Sequence, residues 1–237
     1  MSLFRKPRFF WVYPLAVWVF LTANTTEGSL RLGVLVALAG EALRMWANGY
    51  VGHRKVNVTQ KWRGDAKIGR LITAGPYAHV RNPLYVGTWL IGAGVCLAVR
   101  SLAAALGALA VFWWLYGRKV HQEEQLILDE VGQDYEAYCQ TVPRWIPSLR
   151  RAAHQSGQQW SWQGIWASKE LKTFLWVIVV FLALYFREEY LQEHELFSAE
   201  HRWKHFFLLI ALVGLMAGDG IMELRKRWER RQPVNDP

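Results

Sequence analysis

The chain reads as an all-α, polytopic membrane protein with about six transmembrane helices. Three observations predict this class. Hydrophobic residues make up 52% of the 237 positions, and they gather into blocks close to the roughly 20 apolar residues that a bilayer needs. Basic residues fall in the segments that alternate blocks leave on one side. Only Cys96 and Cys139 are present, without CxxC spacing, so neither a disulfide framework nor a thiolate metal site is expected to organise the fold.

The first span runs from Phe9 to Ala23. It follows Arg5, Lys6 and Arg8 and imitates a secretory signal, but Thr22-Ala23-Asn24-Thr25-Thr26-Glu27 is a poor cleavage site, so a retained span is expected. The second, Leu30 to Gly49, carries Glu41 and Arg44 at i, i+3, where pairing lowers the cost of charge at membrane depth. These two residues either form a structural pair or line a polar pocket for a lipid headgroup. A basic segment from Val51 to Ala74 follows, as an interfacial helix or loop. The third and fourth spans, Leu84 to Val99 and Leu102 to Val120, are separated only by Arg100-Ser101, which predicts an antiparallel hairpin with both ends on one side. Gln122 to Gln140 reads as a further helix, with Glu124, Leu128, Val131, Tyr135 and Tyr138 on one face. Gly132 interrupts it at about 1 kcal/mol relative to Ala, and a bend there folds the two tyrosines back over the hairpin mouth.

Pro143-Arg144-Trp145-Ile146-Pro147 stops helix and predicts a stiff, extended strap. Ser148 to Lys169 is polar, with Trp162, Ile165 and Trp166 as a short helical stripe suited to the headgroup layer. Leu171 to Phe186 and Phe206 to Met222 form a second hairpin that ends in a basic tail. The expected divisions are therefore a core at 1–147, an interfacial linker at 148–170 and a C-terminal hairpin with its tail at 171–237.

A net charge of +9 would point to nucleic acid in a soluble chain. Here orientation and anionic lipid headgroups explain it better, and no nucleic-acid partner is expected. The positive-inside rule puts both termini and the long loops in the cytoplasm, whether the membrane is a bacterial inner membrane or the endoplasmic reticulum.

Chemistry-bearing residues gather at the two open ends of the first hairpin. Asn82-Pro83 is an ordinary helix start, asparagine as N-cap and proline in the first turn, and such an end also presents free N–H groups to an anion. Arg81 either snorkels to lipid phosphate or clamps an anionic group. Tyr77 and Tyr85 suit an interfacial belt or an aromatic face for a cationic ligand. Glu123 and Glu124 are either partners of Arg118 and Lys119 or carboxylates of a site. Asp219, between two glycines, reads as local packing, and His53, His79 and His121 are too scattered for zinc. Gly92-Ala93-Gly94 lacks the strand and loop of a dinucleotide fingerprint.

Taken in order, Leu43-Arg44-Met45-Trp46-Ala47, Gly75-Pro76-Tyr77-Ala78-His79-Val80-Arg81-Asn82-Pro83-Leu84-Tyr85-Val86-Gly87, Glu123-Glu124-Gln125-Leu126, Gly132, Tyr135, Tyr138 and Val142 through Pro147 form a pattern. It resembles the isoprenylcysteine carboxyl methyltransferase and phospholipid N-methyltransferase superfamily across about residues 40–147. The resemblance implies a four-helix membrane methyltransferase-like core that binds S-adenosylmethionine at the cytoplasmic mouth and methylates a membrane lipid or lipidated substrate. Arg81, Pro83 and Tyr85 match the family's Arg-His-Pro-x-Tyr block, and Glu123 and Glu124 its paired glutamates. Asn82 stands where many relatives have histidine, and an amide takes no proton near neutral pH.

On this resemblance Tyr77, Arg81, Asn82, Pro83, Tyr85, Glu123, Glu124, Tyr135 and Tyr138 are expected at the cofactor. Arg144 and Glu124 are the expected catalytic pair, with Glu41, Arg44 and Arg144 at the substrate. The C-terminal hairpin is a candidate surface for lipid access or a homodimer. Two other readings stay open: an NADPH-dependent sterol-type reductase, similar around the same hairpin, and a non-catalytic membrane protein that has kept the fold.

Overall fold

Helix is the only regular secondary structure among the described residues. The structure, a computed structural model, describes residues 18–51, 71–149, 157, 159–168, 170–193, 210, 213, 214 and 217. Most of the expected first span, most of the basic segment after Val51, most of the last span with Asp219, and the basic tail lie outside the described residues. The chain divides into compact units at residues 1–171 and 172–237, and the candidate site lies in the first.

Helix α1 is Glu27–Val51, a single 3-10 turn follows at Gly75–Ala78, and α2 is Pro83–Val99. Helices α3, Leu102–Val131, and α4, Gln133–Thr141, follow; α5 is Trp162–Ser168 and α6 is Glu170–Glu193. The hairpin between α2 and α3 turns as expected. Arg100 takes the left-handed conformation at the end of α2, and Ser101 caps α3 by accepting from the amide of Ala104 at 3.2 Å.

The main helix interface is α1 against α2, and small residues permit its closeness. A Cβ at Gly33 would lie 2.5 Å from the carbonyl oxygen of Gly94, and one at Gly40 would lie 2.6 Å from that of Gly87. These approaches set the spacing of the helices that carry Arg44 and Tyr85.

Residues 102–131 form one helix, not a span followed by a separate helix beginning at Gln122. Nothing near Val120 breaks it: the stretch from Arg118 to Glu124 has neither glycine nor proline, and Val120 is buried. The break comes at Gly132, whose φ of 66° ends α3 and starts α4. Behind it Tyr135, Tyr138 and Val142 form a small core with Leu71, Ile127, Leu128, Val131 and Cys139.

Among the described residues no helix is long and apolar enough to cross a membrane. Helix α2 is apolar throughout but has 17 residues, α1 carries Glu27, Arg31, Glu41 and Arg44, and α3 becomes charged from Arg118 onward. The all-helical class is thus observed. The helices also expose large apolar side chains, among them Leu32, Leu35, Trp89, Leu102, Leu106, Trp113 and Trp114.

The linker is only partly as expected. Helix α5 is present, but Ile165 is buried whereas Trp162 and Trp166 are exposed, so the three do not share one environment. The segment docks on the end of α1: the Ser161 amide donates to the carbonyl of Gly49 at 2.9 Å, and the Trp160 ring occupies the space of an absent Gly49 side chain.

Candidate functional site

The first cluster forms where the start of α2 meets the middle of α3. Tyr85, in the first turn of α2, donates its hydroxyl to Glu123 Oε2 at 2.7 Å. Lys119, one turn earlier on α3, lies 3.6 Å from Glu123 Oε1 and 5.4 Å from the centroid of the Tyr85 ring. Tyr116 adds a second ring 5.3 Å from Tyr85. A carboxylate, an ammonium and two aromatic faces therefore share one partly exposed surface.

Glu124 points the other way and is buried. Its Oε1 accepts from Asn82 Nδ2 at 2.8 Å, and its Oε2 accepts from Arg144 Nε at 2.9 Å and Nη2 at 2.5 Å. Arg81 Nη1 stands 3.8 Å from the same oxygen. Asn82 therefore does not cap α2 with its side chain. Its Nδ2 donates instead to the charged acceptor on α3 and, at 3.4 Å, to the carbonyl of Arg144, an orientation in which Oδ1 makes no bond to the helix N–H groups. Pro83 fills the first helical position, fully buried.

The proline strap lies beside residues 79–81. The Arg81 amide donates to the carbonyl of Pro143 at 2.9 Å, and the Ser148 amide to that of His79 at 2.8 Å. His79 Nδ1 completes the link by donating to Ser148 O at 2.8 Å. The strap is bent at Arg144–Ile146 rather than straight, and the bend brings Trp145 edge-on to Trp113, 5.6 Å away, and to Phe112, 6.1 Å away.

Tyr77, Tyr135 and Tyr138 stand behind this surface. The Tyr138 hydroxyl donates to the carbonyl of Tyr77 at 2.6 Å, and Tyr135 and Tyr138 are nearly fully buried. Burial pushes the hydroxyls of Tyr77, Tyr135 and Tyr138 well above the usual tyrosine range, so all three stay neutral. Burial opposes the charge of Arg81, but the Glu124 carboxylate and the Cys139 sulfur outweigh it and raise the pKa. Arg81 Nη1 reaches Cys139 Sγ at 2.6 Å, while its buried Nε has no partner.

Glu41 and Arg44 are not at this cluster. They form a second one between α1 and α2, in which Glu170 is the residue that sequence reasoning missed. Arg44 Nε donates to Glu170 Oε1 at 2.5 Å and stands 3.8 Å from Glu41 Oε2. Its Nη1 reaches Leu84 O at 3.2 Å and Thr88 Oγ1 at 2.5 Å, and Asn48 Nδ2 donates to Glu170 Oε2 at 2.6 Å. No local spacing signals a partner 126 positions away. The available hint was an acid heading an apolar helix next to a tryptophan-rich segment. Among the described residues no group of His, Cys, Asp and Glu could hold a metal ion.

Residues 32–129 match the model of the isoprenylcysteine carboxyl methyltransferase family. The chain is similar to protein-S-isoprenylcysteine O-methyltransferases of Xenopus laevis, 28% identical over 57% of this chain and 49% of the relative, and of Homo sapiens, 32% identical over 50% and 41%. The protein of the same name from Schizosaccharomyces pombe is 32% identical over 46% of each chain. The chain spans about half the length of these relatives. No solved structure matches.

Proposed function

We propose, from the match of residues 32–129 to the isoprenylcysteine carboxyl methyltransferase family, that the chain is an integral membrane methyltransferase that uses S-adenosylmethionine to methylate a lipidated, isoprenylcysteine-like substrate. The observation that carries this reading is the pairing of two adjacent clusters where α2 begins against α3: Tyr85 and Lys119 on Glu123 at the partly exposed side, and Arg144 and Arg81 around the buried Glu124. When bound, S-adenosylmethionine would supply an electrophilic methyl group on a cationic sulfonium. The residues present fit it. Glu123 and the faces of Tyr85 and Tyr116 suit cationic and ribose groups, and the unpartnered Nε of Arg81 suits a carboxylate.

Three cations, Lys119, Arg81 and Arg144, face two carboxylates, so the cluster has an excess of positive charge. That excess favours an anionic acceptor. A prenylated cysteine carboxylate is ionised near neutral pH and needs no general base, so Asn82 is no obstacle at the position where relatives carry histidine. The half-exposed side chain of Arg144 keeps donors beyond the two that Glu124 engages, and it is the residue assigned to orient that carboxylate. Glu124 acts by holding Arg144 and Asn82 in place. Tyr77, Tyr135, Tyr138 and Pro83 support the surface from behind, and the positioned groups contribute chiefly by alignment.

The membrane setting, with both termini cytoplasmic, rests on the exposed apolar faces of α1, α2 and α3 and on the one-sided basic charge. Equilibrium binding of labelled S-adenosylmethionine to the full chain in lipid nanodiscs, with NADPH as competitor, tests the reading. Saturable binding that NADPH does not displace is expected. Saturation by NADPH instead would replace the methyltransferase with a reductase.

A further inference from the structure

Arg44 has one Nε–H and two carboxylates that address it. Glu170 Oε1 takes it at 2.5 Å, and Glu41 Oε2 waits at 3.8 Å. Glu41 and Glu170 are each about 1% exposed, and neither oxygen of Glu41 has a hydrogen-bond partner. A buried carboxylate without partners is costly and would draw in any donor released nearby. What opposes this is the bidentate reach of Glu170, whose second oxygen is tied to Asn48 on α1 at 2.6 Å. With Nε so held, the Nη1 of Arg44 reaches across to α2, where it meets Leu84 O at 3.2 Å and Thr88 Oγ1 at 2.5 Å. Thr88 also donates to Leu84 O at 2.9 Å, so these bonds converge on the turn that contains Tyr85.

We propose that Glu170 is a positioning residue that holds Arg44 away from Glu41 and against the first turn of α2, thereby setting the place of Tyr85 at the candidate site. The family match ends at residue 129, so the residue that steadies the site from beneath comes from the chain beyond it. Glu170 follows α5, and the residues just before α5, Trp160 and Ser161, are docked on α1, so the segment after the strap is fastened at two points along α1.

In Glu170→Gln the amide oxygen still accepts a bond but no longer carries the charge that outcompetes Glu41. Arg44 then turns to Glu41 and leaves Leu84 and Thr88. Adding Glu41→Gln removes the competitor and returns Arg44 to α2, so the double variant is closer to wild type than Glu170→Gln alone. A merely structural pin would give losses that add.

Two measurements on the full chain in nanodiscs read this out. Hydrogen exchange across residues 83–91 should speed up about tenfold in Glu170→Gln, the scale of one charge-assisted hydrogen bond, and return toward wild type in the double variant. The dissociation constant of S-adenosylmethionine should rise and recover in parallel. The binding measurement rests on the methyltransferase reading and the exchange measurement does not, so absence of binding in the wild type would sink only that reading. Exchange across 83–91 that is unchanged in Glu170→Gln, or further accelerated in the double variant, overturns the role of Glu170.

Discussion

Glu123 and Glu124 are neighbours in sequence but should differ sharply when each is changed to glutamine. Glu124 serves donors on both sides, Asn82 at one oxygen and Arg144 twice at the other. An amide offers one oxygen and one NH2 group, so Glu124→Gln can keep its oxygen for Arg144 only by turning a donor to Asn82, whose amide must flip and give up its bond to the Arg144 carbonyl. Both Arg144 bonds lose their charged acceptor, each such bond is worth roughly 1.5–3 kcal/mol, and water compensates part of the loss at the half-exposed Arg144, so a net cost of about 2–3 kcal/mol is expected. At about 2–4 °C per kcal/mol for a chain of this size, the unfolding midpoint falls by roughly 4–12 °C. Glu123→Gln keeps an oxygen for the Tyr85 hydroxyl and loses mainly the exposed Lys119 pair, worth less than about 1 kcal/mol. Thermal unfolding of the purified full chain in detergent, followed by tryptophan fluorescence, compares the two. An equal or larger shift for Glu123→Gln would refute the assignment of Glu124 as the residue that holds the strap.

Three further outcomes are expected. Tyr85→Phe removes the hydroxyl that binds Glu123 and should weaken S-adenosylmethionine binding about fivefold, the scale of one hydrogen bond, with little change in melting; unchanged affinity would take Tyr85 out of the cofactor surface. Gly40→Val drives a side chain into the carbonyl of Gly87 and should cost about 1–3 kcal/mol or more, whereas Gly92→Ala, which meets nothing within 4 Å, should be neutral or stabilising in the same melting assay. The Tyr138 hydroxyl has a folded pKa raised above its ordinary 10.0, so its contribution is complete below pH 10.0 and lost as pH rises further. Tyr138→Phe should therefore flatten the alkaline fall in stability, and a slope identical to wild type would place the tyrosine outside the titrating set.

Local patterns were legible in the sequence and distant pairings were not. The Arg100-Ser101 turn and the Gly132 break depend on one or two residues whose backbone preferences act where they stand. The role of Asn82 was misread because a helix start has a local signature, whereas the charged acceptor that claims its side chain lies 42 positions away. Arg44 looked like the partner of Glu41 for the same reason. The pair three residues apart was visible, but a closer carboxylate 126 positions away takes the bond. Continuity of α3 past Val120 was hidden by the change from apolar to charged residues, which marks a change of surroundings and not the end of a helix.

The decisive measurement supplies the full chain in membranes with methyl-labelled S-adenosylmethionine and a farnesylated cysteine peptide bearing a free carboxylate. Saturable label in a base-labile methyl ester, abolished by Arg144→Ala and retained by Glu41→Gln/Glu170→Gln better than by Glu170→Gln, is the expected result. Label found only in lipid amines, or no transfer alongside saturable NADPH binding, would show that this surface serves a different chemistry.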